Sequence, residues 1–132
     1  MTVVVDASMV VAALVDSGPA GTWAATLLAA EPLVAPQHMP VEVAATLRRA
    51  VLAGKISQDL ASIAHADLLS LPAALVAYEA VARRAWELRT NVTPYDAWYV
   101  ALAEALDVGL ATLDLRLAAA PGPRCAFVLP PL

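Results

Sequence analysis

A continuous β-branched run near the start of the chain constrains the fold most strongly. Residues 2–5 read Thr-Val-Val-Val, without the polar alternation of a half-exposed strand. Such a run is typical of a strand buried on both faces of a sheet. It ends at Asp6, and a helical pattern follows through Val15. Because a strand that leads directly into a helix opens a β-α-β unit, the chain is predicted to build a mainly parallel sheet.

The rest of the chain alternates in the same way between short apolar runs and segments with helical spacing. The predicted strands are residues 2–5, 33–35, 73–76, 109–112 and 126–129, and the predicted helices include residues 7–15, 21–30, 40–52, 78–89 and 94–106, with another capped by Ser57. The order β-α-α-β-α-α-β-α-α-β-α-β predicts an α/β three-layer sandwich with a mainly parallel central sheet flanked by helices. A length of 132 residues suits a single domain, residues 1–132.

Four acidic residues occupy one kind of position in this predicted fold. Asp6 and Asp114 follow strands, and Glu42 and Asp96 lie in the first turns of helices that begin at prolines. Taken singly, each acid is explained as a helix cap or as a favourable charge near a helix N-terminus. In a parallel sheet, however, strand ends and the starts of the following helices share one edge. The four carboxylates are therefore expected to meet there.

Four carboxylates at one edge repel one another unless a cation lies among them or some stay protonated. Oxygen ligands without thiols or paired histidines suit Mg²⁺, or Mn²⁺, rather than Zn²⁺. Such a metal activates water and stabilises negative charge on a phosphodiester. The formal net charge of −4 disfavours binding to nucleic acid, whose phosphates are normally neutralised by Lys and Arg. A bound metal ion would supply the missing positive charge.

Composition also indicates the cellular compartment in which the protein works. Cys125 is the single cysteine, which excludes a disulfide framework and favours a reducing compartment. No basic segment precedes the first apolar run, so no signal peptide is expected. No stretch reaches the ~20 apolar residues of a membrane span, and the protein is expected in the cytoplasm without membrane contact. The 61% hydrophobic content is high and suggests a buried partner surface.

The four acids lie in short motifs spread along the chain. These are Val5-Asp6-Ala7-Ser8, Pro40-Val41-Glu42-Val43, Thr93-Pro94-Tyr95-Asp96-Ala97 and Thr112-Leu113-Asp114. In this order the set resembles the PIN domain, and more narrowly the toxin ribonuclease of a VapBC toxin–antitoxin pair. The resemblance implies that the four acids are both catalytic residues and metal ligands, with the hydroxyls of Ser8 and Thr112 beside them as candidate substrate contacts. Some relatives carry a further acid where this chain has Arg116 or Leu117, which weakens the case for a tightly bound second metal.

The resemblance further implies a reaction and its partners. The expected reaction is Mg²⁺-dependent cleavage of RNA by an endoribonuclease, in which Glu42 ligates or orients the attacking water and acts as base. The products are expected to carry 3′-hydroxyl and 5′-phosphate ends. The expected assembly is a homodimer held by a cognate VapB-like antitoxin. Arg49 and Arg116 are candidates for contact with RNA phosphate because they lie near the proposed metal acids. A solvated surface position is nevertheless the favoured explanation for each arginine, since most charged residues are exposed.

Other functions stay open on the residues alone. A phosphatase of the haloacid dehalogenase type would need a second aspartate where this chain has Ser8. A response-regulator receiver would need a lysine near the acids, whereas the only lysine, Lys55, ends a helix that is distant from them in sequence. A PIN-like scaffold that binds RNA or protein without cutting is the remaining alternative, although it would not need four mutually repelling carboxylates. The sequence offers no partner for His38, and Trp98 is predicted to be a core or interface anchor.

Overall fold

The computed structural model describes residues 1–131. Along this part of the chain the strands are β1 (Val3–Val5), β2 (Leu33–Pro36), β3 (Ala73–Val76), β4 (Gly109–Ala111) and β5 (Phe127–Val128). The helices are α1 (Ala7–Val15), α2 (Pro19–Ala30), α3 (Met39–Leu52), α4 (Gln58–Leu69), α5 (Ala82–Glu87), α6 (Pro94–Leu106) and α7 (Leu115–Ala119). The predicted order of elements is confirmed, and Ser57 caps α4 by accepting the Leu60 N–H at 3.0 Å.

The strands of residues 1–131 form one parallel sheet in the order β3-β2-β1-β4-β5. The β-branched run therefore lies at the centre, and Val4 and Val5 have no exposed surface. Val5 pairs with Ala111 of β4, so the residues that follow these two strands leave the sheet side by side. This pairing is what brings the two strand-exit acids to the same edge.

Helices cover the sheet on both faces, which confirms the three-layer sandwich. Helices α1 to α4 pack against one another on one side. On the other side α5 packs on α6, and α6 lies across β1, β2 and β4. Helix α6 can approach the sheet closely because small and apolar residues form a broad buried face, which contains Ala97, Tyr99, Val100, Ala101, Leu102 and Ala103.

Several predicted boundaries are wrong: β1, β2, β4 and β5 differ by one residue at one or both ends, and three helices differ for local reasons. The segment predicted as one helix over residues 78–89 is a 3₁₀ turn at Tyr78–Ala80 followed by α5. Between them the buried Val81 takes φ −131° and ψ 12°, which no helix continues through. Helix α2 begins at Pro19 rather than residue 21, and α3 begins at Met39 with Pro40 second, because proline is tolerated throughout a first helical turn.

None of the helices within residues 1–131 is long and apolar enough to cross a membrane.

Candidate active site

Asp6 is a buried carboxylate held by three donors. It caps α1, where its Oδ1 accepts the Met9 N–H at 3.2 Å and the Ser8 hydroxyl at 2.6 Å. Its Oδ2 accepts the hydroxyl of Thr112, which follows β4. Burial raises the pKa of Asp6, and the bonds from Ser8, Thr112 and Met9 oppose that rise. Asp6 therefore caps α1 and is fixed in position by these bonds, while its role as a metal ligand stays a prediction.

The hydroxyls of Ser8 and Thr112 tie the loop after β4 to Asp6. While donating to Asp6, Ser8 Oγ accepts the Leu113 N–H at 3.1 Å and Thr112 Oγ1 accepts the Asp114 N–H at 2.9 Å. Both residues were expected to contact substrate, whereas the structure shows each positioning the acids. Thr112 has no exposed surface and Ser8 is partly exposed, and a direct substrate contact stays a prediction for both.

Replacing Thr112 with valine is expected to destabilise the fold by about 1–3 kcal/mol, the usual cost of leaving buried hydrogen-bonding groups without a partner. Valine has nearly the same shape but would leave Asp6 without one donor and the Asp114 N–H without its acceptor. Urea denaturation of the parent and variant measures the difference. Thr26→Val, which removes an exposed hydroxyl bonded only to the Thr22 carbonyl, is the matched control. Equal free energies of unfolding for Thr112→Val and the parent would contradict this account.

Asp114 caps the short helix α7. Its Oδ1 accepts the N–H groups of Arg116 at 3.0 Å and Leu117 at 3.2 Å. Among the hydrogen bonds within residues 1–131, none reaches its Oδ2 from a protein donor. One oxygen of this half-buried carboxylate is therefore used by the fold and the other is available to a ligand.

Asp96 lies among the other acids. It is the third residue of α6, after the N-cap Thr93 and Pro94, and its N–H donates to the Thr93 hydroxyl at 3.2 Å. Burial raises the pKa of Asp96, and the negative charges of Asp114 and Glu42 raise it further. The charge of Asp96 in turn contributes to the raised pKa of Asp6. Asp96 therefore interacts electrostatically with all three other acids, as expected for carboxylates gathered at one edge.

Glu42 is held from two sides. On α3, its Oε1 accepts the Tyr99 hydroxyl from α6 at 2.6 Å and lies 3.1 Å from His38 Nε2. Partial burial raises the pKa of Glu42, but the contacts with His38 and Tyr99 and the positive charge of Arg49 outweigh it and lower the pKa overall. Burial and the bond to Glu42 raise the pKa of Tyr99, so the phenol stays a donor.

His38 and Tyr99 are the site residues that sequence reasoning missed. The expectation that His38 has no partner is wrong, because its Nε2 contacts Glu42 and also lies 3.2 Å from the Tyr95 carbonyl oxygen. Its ring stacks on the half-buried Trp98 with centroids 4.4 Å apart and planes 4° apart. Two signals were available: Glu42 follows His38 by four residues, and Tyr99 follows Asp96 by three, so each pair shares a helix face.

The two candidate phosphate contacts lie at the rim of the acid group. Arg49 is exposed, donates to Thr46 Oγ1 at 3.0 Å, and its charge contributes to the lowered pKa of Glu42. Arg116 is exposed and lines a recess together with Asp96 and Asp114. Each arginine therefore lies near at least one of the four acids, and its contact with substrate stays a prediction.

The donor set fits a hard divalent cation, but the acids do not form a closed cage. No three His, Cys, Asp or Glu side chains of residues 1–131 are grouped closely enough to hold a metal ion by themselves. Mg²⁺ is usually bound through one or two carboxylates and retains several waters. A looser group of carboxylates, in which Asp96 feels the charge of the others, suits such partly hydrated binding.

Comparison with known proteins places this geometry in a family. The PIN domain family pattern matches residues 3–123. Ribonuclease VapC1 of Mycobacterium tuberculosis is 45% identical over 136 aligned residues, with 96% of each chain covered. The crystal structure of M. tuberculosis VapC20, described as a sarcin–ricin loop cleaving toxin, superposes with a TM-score of 0.68 at 20% identity, covering 89% of this chain and 93% of that one.

A second structure, VapBC2 of Rickettsia felis bound to a DNA fragment from its promoter, superposes with a TM-score of 0.67 at 13% identity and covers 98% of both chains. At these identities the two structures show the shared fold alone, whereas the relationship to VapC1 extends over almost the whole sequence. The chain belongs to the PIN domain family and, within it, to the group of the VapC ribonucleases.

Proposed function

We propose that this protein is a divalent-metal-dependent endoribonuclease and the toxin of a toxin–antitoxin pair. The observation that carries the proposal is the juxtaposition of acids at the ends of β1 and β4 and the start of α6: Asp96 and Asp114 line one recess, and the Thr112 hydroxyl bonds both to Asp6 and to the Asp114 N–H. A scaffold without chemistry would have no reason to keep these repelling charges together. The membership of the VapC group supports RNA as the substrate, and Mg²⁺, or Mn²⁺, as the cation.

In this proposal each acid has a distinct part. Asp6, Asp96 and Asp114 would hold the cation, directly or through water, and Glu42 would orient the attacking water. When bound, the cation would stabilise negative charge on the phosphodiester and make water a better nucleophile. Because its pKa is lowered, Glu42 is ionised at neutral pH and can accept a hydrogen bond from that water. In-line attack would leave a 3′-hydroxyl and a 5′-phosphate.

The direct test is cleavage of RNA by the purified protein with added Mg²⁺. We expect internal cuts whose downstream fragments accept ligation through a 5′-phosphate, and no such cuts by an Asp6→Asn variant purified in the same way. A scaffold that binds RNA without cutting it would retain RNA in a shift assay and leave it intact. Intact RNA with both Mg²⁺ and Mn²⁺ would overturn the proposal.

The Tyr99→Phe variant is expected to cut RNA roughly 10- to 100-fold more slowly, the usual effect of removing a group that orients a metal-site carboxylate. The phenol of Tyr99 joins α6 to Glu42 of α3 through the 2.6 Å bond, and phenylalanine keeps the buried ring while losing that bond. Because His38 would then be the only remaining contact of Glu42 Oε1 within residues 1–131, the carboxylate would be held less firmly, and the Mg²⁺ concentration for half-maximal rate should rise. Initial rates over a Mg²⁺ series measure both effects.

Tyr95→Phe is the matched control for this variant. Tyr95 lies on the same helix, is 64% exposed, and its hydroxyl makes no hydrogen bond within residues 1–131. The control should follow the parent in rate and in Mg²⁺ dependence. A Tyr99→Phe protein that melts like the parent and also cuts like it would show that the hydrogen bond to Glu42 has no part in the reaction.

The proposed partners follow from the same family. A VapB-like antitoxin and a second copy of this chain would bind the protein in the cytoplasm, where cleavage of RNA would inhibit translation and growth. Exposed apolar side chains on α3 and α4 suit a protein partner because water disfavours such surfaces. They include Val41, Leu52, Ile63 and Leu69.

A further inference from the structure

A recess between the start of α6 and helix α7 extends the acid group on one side. It has a volume of about 260 Å³ and is lined by Asn91, Val92, Thr93, Asp96, Asp114, Arg116, Leu117 and Ala120. Its size lies just below the ~300–1,000 Å³ of pockets for drug-sized ligands. It therefore suits a single nucleotide better than a stacked pair of bases. We call it the α6–α7 recess.

The recess combines three kinds of surface. Asp96 and Asp114 belong to the proposed metal site on one side. The floor is apolar, formed by the mostly buried Val92 and Leu117. Arg116 supplies the positive charge, and within residues 1–131 its guanidinium forms no ion pair with either acid. These three surfaces match a nucleotide whose phosphate lies next to the acids and whose base packs on the apolar floor.

The side-chain amide of Asn91 is exposed and is available to a ligand at the recess. An asparagine before a helix usually bonds to the backbone nearby, yet no hydrogen bond within residues 1–131 uses the Asn91 side chain, and only its backbone N–H donates, to the Leu88 carbonyl oxygen at 3.1 Å. The amide lies beside Gly122: a side-chain Cβ placed on that glycine would be 3.8 Å from Asn91 Nδ2. Arg84 fixes that loop by donating to the Gly122 carbonyl oxygen at 2.9 Å.

We propose that the α6–α7 recess binds the nucleotide adjoining the scissile phosphate and that Asn91 reads its base. This inference rests on the proposed ribonuclease function and adds a specificity residue to it. An amide offers one acceptor and two donors side by side, the arrangement with which asparagine pairs with a base edge. Bases of single-stranded RNA expose those edges for such contacts. Arg116 would bind the phosphate and so hold the nucleotide in register.

The test is the base preference at the cut site. An RNA pool randomised at the two nucleotides on each side of the cut is digested with the parent, Asn91→Leu and Asn91→Asp, and the fragments are sequenced. We expect the parent's preference at one adjoining position to fall by roughly one order of magnitude in Asn91→Leu. In Asn91→Asp, which keeps the acceptor and loses the donors, the preference should shift towards bases with amino groups.

Gln58→Leu is the matched control, because it removes an exposed amide from α4 that does not line the recess. It should keep the parent's preference. An unchanged preference in both Asn91 variants, whether or not the rate falls, overturns the inference and leaves the proposed function standing. A parent that cuts without any preference at the adjoining nucleotides also overturns it. If the parent cuts no RNA, the proposed function itself fails and the assignment of Asn91 fails with it.

Discussion

Asp96→Asn is expected to lower the rate of RNA cleavage by roughly 10³-fold or more, the scale for losing a group that acts on the transition state. Asp96 interacts with each of the other three acids, so its removal affects the whole group rather than one ligand. Asparagine keeps the shape of the side chain and leaves the Thr93 cap intact, since the capping bond uses the backbone N–H of residue 96. The rate loss should therefore occur in a folded protein.

The same variant is expected to be at least as stable as the parent without metal. A carboxyl whose folded pKa is raised above its ordinary value of 3.8 disfavours the folded state once it ionises. Its contribution to stability is therefore greatest below pH 3.8 and is lost as the pH rises through the raised pKa. Asparagine has no such loss, so its advantage over the parent should grow across that interval and then level off.

Initial rates and thermal unfolding over a pH series, both in parent and variant, measure these effects. Asp67→Asn, which neutralises an exposed acid on α4, is the control and should cut RNA at the parent's rate. Cleavage by Asp96→Asn at the parent's rate would remove Asp96 from the site. If the variant is inactive because it fails to fold, Asp96 is required for the stability of the fold instead.

The positions of the four acids could be predicted because each depends on a local signal. The β-branched run places Asp6 at a strand exit, and Thr93 followed by proline places Asp96 in a first helical turn. The parallel arrangement then follows from the alternation of strands and helices. These steps need no knowledge of side-chain contacts, which is why both the layers and the strand order along the chain agree with the structure.

The contacts of the acids could not be predicted in the same way. The bond from Tyr99 to Glu42 joins residues 57 positions apart, and a tyrosine inside an apolar helix is first explained as core. Thr112 and Asp6 meet because β4 pairs with β1, a choice of neighbour that no local pattern specifies. The looser grouping of the carboxylates depends on side-chain positions, so the sequence predicted where the acids lie and not how closely they approach.

Removal of divalent cations is expected to stop RNA cleavage completely, and their return is expected to stabilise the fold. The raised pKa values of Asp6 and Asp96 reflect burial together with the charge of neighbouring acids. A cation among these carboxylates would relieve both effects and would bind the folded state only. At a free Mg²⁺ concentration ten times Kd, this linkage adds about 1.4 kcal/mol, which is a rise in Tm of several degrees for a domain of this size.

Cleavage before and after EDTA, with Mg²⁺ restored in excess, measures the first effect, and thermal unfolding over a Mg²⁺ series measures the second. Sodium chloride at matched ionic strength separates binding from general screening, since exposed charges respond to any salt. The Asp96→Asn protein should lose most of the Mg²⁺-dependent rise in Tm because the carboxylate among the other three acids is gone. Cleavage that continues unchanged in EDTA would exclude the metal-dependent reaction, whereas a rise in Tm that is equal in parent and variant would place the cation elsewhere on the protein.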